Sequence, residues 1–88
     1  MLRSSIRGKL FEFIRDYFIK ESGTALDDDT LLVEKGIIDS TGVIELVCFI
    51  EETFEIKVDD SEIISENFDS INLLVNYIQP KLEKKASK

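Results

Sequence analysis

Apolar residues recur at Ile6, Leu10, Phe13/Ile14 and Tyr17, with charges between them. This is the stripe of an amphipathic helix, and it predicts a first helix over residues 2–20. Gly8 weakens its first turns slightly. The pattern fails in "ESGTALDDDT", where Gly23 is the expected C-cap and clustered Asp and Thr favour turns. A long connection runs from Ser22 to Asp39, and long loops in small domains are often functional. Leu31, Leu32, Val33, Ile37 and Ile38 need cover, so this loop is expected to pack across the helices.

A second helix is predicted from Ser40 to Glu55. At 100° per residue, Val43, Val47, Ile50 and Phe54 form its core sector, with Leu46 on the flank. The opposite sector collects Thr41, Ile44, Glu45, Cys48, Glu51, Glu52 and Glu55. Ile56 and Val58 alternate with Lys57, as in a short extended link. Asp59 and Glu62 have the spacing of a capping pair for a short helical turn near 60–66. A last helix starts at Asp69 or Ser70 and carries Ile71, Leu74, Val75 and Ile78; Pro80 is expected to end or kink it. The sum is a small all-α bundle of three to four helices with a long loop between the first two, one domain over 1–80 and a frayed basic tail over 81–88.

The chain has 88 residues, a length that favours one domain with one modest core. One cysteine permits no internal disulfide, which fits a reducing, cytoplasmic setting. Charges interrupt the N-terminus before a signal-peptide stretch can form, and no apolar run is long enough to insert into a membrane. The net charge is −7, unevenly spread. Both ends are basic, while residues 21–80 hold only Lys35 and Lys57 against fifteen acids. That centre repels nucleic acid and anionic lipid and attracts partners with basic patches.

The outer sector of the second helix surrounds Ile44 and Cys48 with glutamates, and no basic residue lies between Asp39 and Lys57. Acid around a small apolar spot suits docking to a basic, partly hydrophobic groove. Cys48 is expected to be partly exposed and unreactive, because nearby carboxylates disfavour its thiolate. Metal chemistry finds no donor set. One cysteine and no histidine argue against zinc. "DDDTLLVEKGII" puts Leu31 and Leu32 where a calcium loop needs an oxygen ligand and a glycine. With no histidine, autonomous catalysis lacks a base near neutral pKa.

Asp39-Ser40 precedes the acidic helix, and Asp69-Ser70 precedes the last one. Both read as helix punctuation. Ser40 is set apart by its place after the long loop and before the acidic face. A phosphodiester on its hydroxyl would gain about 0.3–1 kcal/mol from the helix N-terminus.

"GIIDSTGVIELVCFIEETFEIKV" resembles the acyl carrier protein family, including its peptidyl and D-alanyl relatives, over roughly residues 6–79. The resemblance implies a helical bundle with 4′-phosphopantetheine attached to Ser40 by a separate phosphopantetheinyl transferase. Asp39 would contact the transferase or its magnesium. Glu45, Glu51 and Glu52 match the family's recognition acids, and Ile44 and Cys48 its apolar docking spots, with Thr41 beside them. Thr41 and Gly42 depart from the fatty-acid carriers, and Ser-x-Gly is more like D-alanyl and some aminoacyl carriers. The implied function is a stand-alone, monomeric carrier of acyl or aminoacyl thioesters, served by a loading ligase and synthase enzymes. A small acidic adaptor without a prosthetic group is the alternative. Phe13, Tyr17, Val43, Val47, Ile50, Phe54, Phe68, Ile71 and Leu74 could line an acyl cavity, but their bulk favours a filled core and small or polar cargo.

Overall fold

A computed structural model describes residues 2–19 and 25–86. The expected cap at Gly23 lies outside them. The described residues form four α-helices and no strand: α1 (Arg3–Ile14), α2 (Ser40–Phe54), α3 (Ser65–Phe68) and α4 (Ile71–Ala86). α1 continues into a π-turn, Arg15–Ile19, and a 3₁₀ turn, Asp60–Glu62, precedes α3. The small helical bundle is as the pattern predicted. Among the described residues no helix is long and apolar enough to cross a membrane.

The core is aliphatic. Ile6, Leu10 and Ile14 of α1 meet Leu46 and Ile50 of α2 and Ile71, Leu74 and Ile78 of α4, all fully buried. The i, i+4 stripe of α1 thus faces inward as far as Ile14. Tyr17 departs from the prediction: it is 57% exposed. The π-turn supplies the reason. Widening the helix by one residue per turn shifts the inward register, so Ile19 is buried, Phe18 half-buried, and Tyr17 carried out.

The inward face of α2 is also rotated from the expected one. Gly42, Leu46, Ile50 and Phe54 are buried, while Val43 and Val47 are only half-buried. Leu46, expected on the flank, is central, and position 42 requires a glycine because Phe18 of the π-turn and Ile38 of the loop close on it. A Cβ there would lie 2.8 Å from Phe18 Cε1 and 3.0 Å from Ile38 Cγ2.

The long loop is held down at both sides. Leu32 and Ile38 are buried, but Leu31 and Val33 stay exposed, so only part of its apolar content finds cover. The Leu32 N–H donates to Asp69 O (2.8 Å) and the Val33 N–H to Asp69 Oδ1 (2.8 Å). Asn72 donates its backbone N–H to Asp28 O and its side-chain amide to Asp29 Oδ1, and Arg7 pairs with Asp28 at 2.6 Å.

The Asp59–Glu62 capping box forms as predicted, around a 3₁₀ turn. Tyr77 of α4 donates its hydroxyl to Glu62 Oε1 (2.8 Å), fixing the turn to the bundle. Pro80 does not end α4, which runs on to Ala86. A proline interrupts one backbone hydrogen bond, but the turns beyond it have anchors. Leu82 packs on the core, Lys81 pairs with Glu62 at 3.2 Å, and Lys85 Nζ donates to Glu55 O at the end of α2 (2.9 Å).

Candidate functional site

The site begins where the loop meets α2. Asp39 is extended (φ −94°, ψ −173°) and caps the helix, its Oδ1 accepting from the Gly42 N–H at 2.8 Å. Asp39 O accepts from the Val43 N–H at 2.9 Å. Ser40 is therefore the first residue inside the helix, and its side chain is exposed. The N–H groups of Ser40 and Thr41 have no acceptor within the helix, as at any α-helix start.

The buried contacts beneath Ser40 fix its position. Ile38 is buried just before it and Gly42 just after, with Phe18 packed against Gly42. The hydroxyl therefore rides on a rigid step between two anchored residues. Phe18 was not identified from the sequence as part of this site. Its position depends on the π-turn, for which the apolar spacing gives no signal.

The outer face of α2 is as expected at most positions. Thr41, Cys48 and Glu52 are exposed, and Ile44 is 64% exposed. Two glutamates differ. Glu51 is half-buried, and its Oε2 accepts from the Val58 N–H at 2.9 Å, holding the extended link against α2. Glu45 is half-buried; among the described residues its Oε2 is shut from solvent without a hydrogen-bond partner.

The second Asp-Ser pair is built differently. Ser70 is 3% exposed, and its Oγ accepts from the Leu73 N–H at 3.1 Å. Here the serine caps the helix, and Asp69 turns back to the loop. A third pair, Asp60-Ser61, sits in the 3₁₀ turn, where the Ser61 hydroxyl donates to Asp59 Oδ1 at 3.3 Å. Ser61 is exposed but opens only a three-residue turn, without an acidic helix beyond it.

No protein-family model matches the chain. Curated relatives do. A D-alanyl carrier protein of Streptococcus sanguinis is 30% identical over 70 residues, covering 80% of this chain and 86% of the relative. The chain belongs to the acyl carrier protein family. The D-alanyl carrier protein of Streptococcus uberis is 29% identical over 75 residues, covering 85% of this chain and 92% of its own length. That of Streptococcus gordonii is 29% identical over 70 residues. As a carrier protein of this family, the chain brings together a helix start with an outward hydroxyl and a helix face of carboxylates around Ile44 and Cys48.

Among the described residues aliphatic and aromatic side chains pack the core, and four clefts around it are surface grooves rimmed by charged side chains. One of them, about 450 Å³, lies between α1 and α2. Phe13 stacks on Phe49 there with ring centroids 4.1 Å apart, and Tyr17 stacks on Phe13 at 5.2 Å.

Proposed function

We propose that the chain carries small acyl or aminoacyl groups as thioesters on a 4′-phosphopantetheine arm attached to Ser40 Oγ. The observation that carries this reading is the exposure of Ser40 in the first turn of α2, against the burial of Ser70 under α4. The residues present fit a phosphodiester. The Ser40 and Thr41 N–H groups and the helix dipole favour an anion. Asp39 is a like charge, but its carboxylate is already oriented by the Gly42 N–H.

When bound, the arm supplies the thiol on which cargo is held. The protein's own part is to present the hydroxyl and the docking face. The chain has no histidine to activate Ser40, which suits attachment by a separate phosphopantetheinyl transferase using coenzyme A and magnesium, with Asp39 contacting that enzyme or its metal. Thr41, Ile44, Glu45, Cys48 and Glu52 form the surface for the transferase, a loading ligase and downstream synthases with basic patches. Glu51 adds its charge from the side, since its carboxylate is held by Val58. Such a face speeds encounter without prolonging residence. A cytoplasmic monomer meeting successive partners needs that balance.

The relatives named D-alanyl carrier protein favour an aminoacyl cargo over a long acyl chain. The fully buried Leu46, Ile50, Ile71 and Leu74 favour it too, because a filled core has no room for an alkyl chain.

Intact mass after incubation with coenzyme A, magnesium and a promiscuous phosphopantetheinyl transferase tests the assignment. One pantetheinyl addition is expected on the wild type, Ser61→Ala and Ser70→Ala, and none on Ser40→Ala. An unchanged wild-type mass would leave an acidic adaptor. Addition that survives Ser40→Ala would move the attachment to another serine.

A further inference from the structure

Ser40 and Gly42 lie on nearly opposite sides of α2. Two residues at about 100° each turn the helix by about 200°, so the front of the first turn presents the Ser40 side chain and its back carries Gly42. Ser40 is exposed and Gly42 is buried. Whatever presses on the back of this turn therefore sets where its front stands.

Three groups close on Gly42. A Cβ there would meet the Phe18 ring edge at 2.8 Å, the Ile38 side chain at 3.0 Å and Asp39 Oδ1 at 3.3 Å. The same Asp39 Oδ1 accepts from the Gly42 N–H at 2.8 Å, so the cap of α2 and the Phe18 ring meet at one residue. Ile38 is held from the loop, its N–H donating to Leu32 O at 3.0 Å. Glycine inside a helix is less favourable than alanine, and no positive φ calls for it at position 42. What this position needs is space for the ring.

Phe18 is itself held by two rings, Phe13 edge-on at 5.9 Å and Tyr17 at 5.0 Å. It is half-buried and stands outside the fully buried aliphatic core. It reaches Gly42 from the π-turn Arg15–Ile19. Ile44, Cys48 and Glu52 lie further along α2, on its outer side.

We propose that Phe18 is a positioning residue for the loading of Ser40: its ring braces Gly42, and with it the Asp39 cap, so that the Ser40 hydroxyl is offered at a fixed place. The inference rests on the attachment proposed above. In that transfer Ser40 Oγ gives up its proton to the transferase and bonds to the pantetheine-side phosphorus of coenzyme A. The pyrophosphate P–O bond breaks, and adenosine 3′,5′-bisphosphate leaves. Phe18 touches none of these atoms. It acts on the placing of Oγ and leaves the docking face unchanged, so its loss lowers kcat and spares KM.

Loading rates measured by intact mass, with coenzyme A, magnesium and a promiscuous phosphopantetheinyl transferase at varied carrier concentration, test this on the full chain. Phe18→Ala should lower kcat about tenfold, since displacing a reacting group by about 1 Å can cost about a hundredfold. KM for the carrier should stay within about twofold. Phe18→Leu should recover most of the rate. Gly42→Ala should also lower kcat, and Gly42→Ala with Phe18→Leu should be faster than Gly42→Ala alone, because the shorter side chain gives back the space. NMR should show the ring-current shift of the Gly42 α-protons in the wild type and its loss in Phe18→Ala, and CD should show helical spectra for all variants. If Phe18→Ala does not fold, the gain of the double variant over Gly42→Ala decides alone. An unchanged kcat in Phe18→Ala, a raised KM with kcat kept, or a double variant no faster than Gly42→Ala would overturn the positioning role and leave the attachment standing. A wild-type chain that gains no mass overturns both.

Discussion

Asp39-Ser40 and Asp69-Ser70 are the same dipeptide at the start of a long helix, but the helices begin one residue apart relative to it. In the first pair aspartate is the cap and serine is already inside α2, facing water. In the second, serine is the cap, buried, and aspartate is left free to bind the loop through Val33, Glu34 and Leu32. A shift of one position turns a presented hydroxyl into a structural one. The tertiary neighbours set that shift: Phe68 and Ile71 are buried on either side of Asp69-Ser70, whereas Ile38 and Gly42 hold Asp39-Ser40 from below and leave its outer side open.

The comparison breaks most visibly at Asp69. Asp69→Ala removes the acceptor for two loop N–H groups, and about 1–3 kcal/mol of stability should be lost in urea unfolding. Asp69→Asn keeps one oxygen acceptor and should recover most of it. A wild-type midpoint for Asp69→Ala would mean that the loop is held by Leu32 and Ile38 alone.

A smaller effect separates the two serines. Ser70→Ala should cost about 1 kcal/mol, the usual value for a lost N-cap. Ser40→Ala should stay within about 0.5 kcal/mol of wild type, as an exposed residue whose helix is capped by its neighbour. Equal losses in the two urea curves would show that Ser40 shares the capping role and weaken the contrast between the pairs.

The third pair, inside the Asp59–Glu62 turn, gives the smallest and most pH-dependent effect. The Glu62 carboxyl is held below its ordinary range, first by the Tyr77 hydroxyl, then by Lys81 and the Asp59 N–H. Its folded pKa is below its unfolded one, so the ionised form stabilises the fold. That contribution is complete above the ordinary carboxylate value and is lost as pH falls through the lowered one. Urea midpoints measured between about pH 6 and pH 3 should therefore fall, and Tyr77→Phe should flatten the fall. Parallel curves for the two proteins would remove Tyr77 as the cause.

Much of the site was legible because it depends on local rules. The acids and small apolar residues of α2 alternate with its core positions, so helical spacing alone separates Ile44, Cys48 and Glu52 from Ile50 and Phe54. The capping box at Asp59 and Glu62 is equally local. The failures share a different cause. Tyr17 was expected inside on a regular helical period, and the π-turn carried it out. Val43 and Val47 lost the centre of the core to Leu46, on the side of α2 where Phe18 and Ile38 close on Gly42. Pro80 was expected to end or kink α4; the helix runs on past it, where the ion pair at Lys81 and the hydrogen bond from Lys85 offset one interrupted backbone bond.

The order of polar and apolar residues thus determined the number of helices, the acidic outer face of α2 and the two helix starts marked by Asp-Ser. Each follows from spacing along a single element, where side chains one turn apart share a face whatever else the chain does. Tertiary structure alone decided how far Ser70 is buried, which glutamates stay open to water, and that Phe13, Tyr17 and Phe49 stack between α1 and α2. Those depend on how near another element comes, and such distances are set by packing between residues far apart in the chain, as Phe18 with Gly42 and Asp69 with Val33.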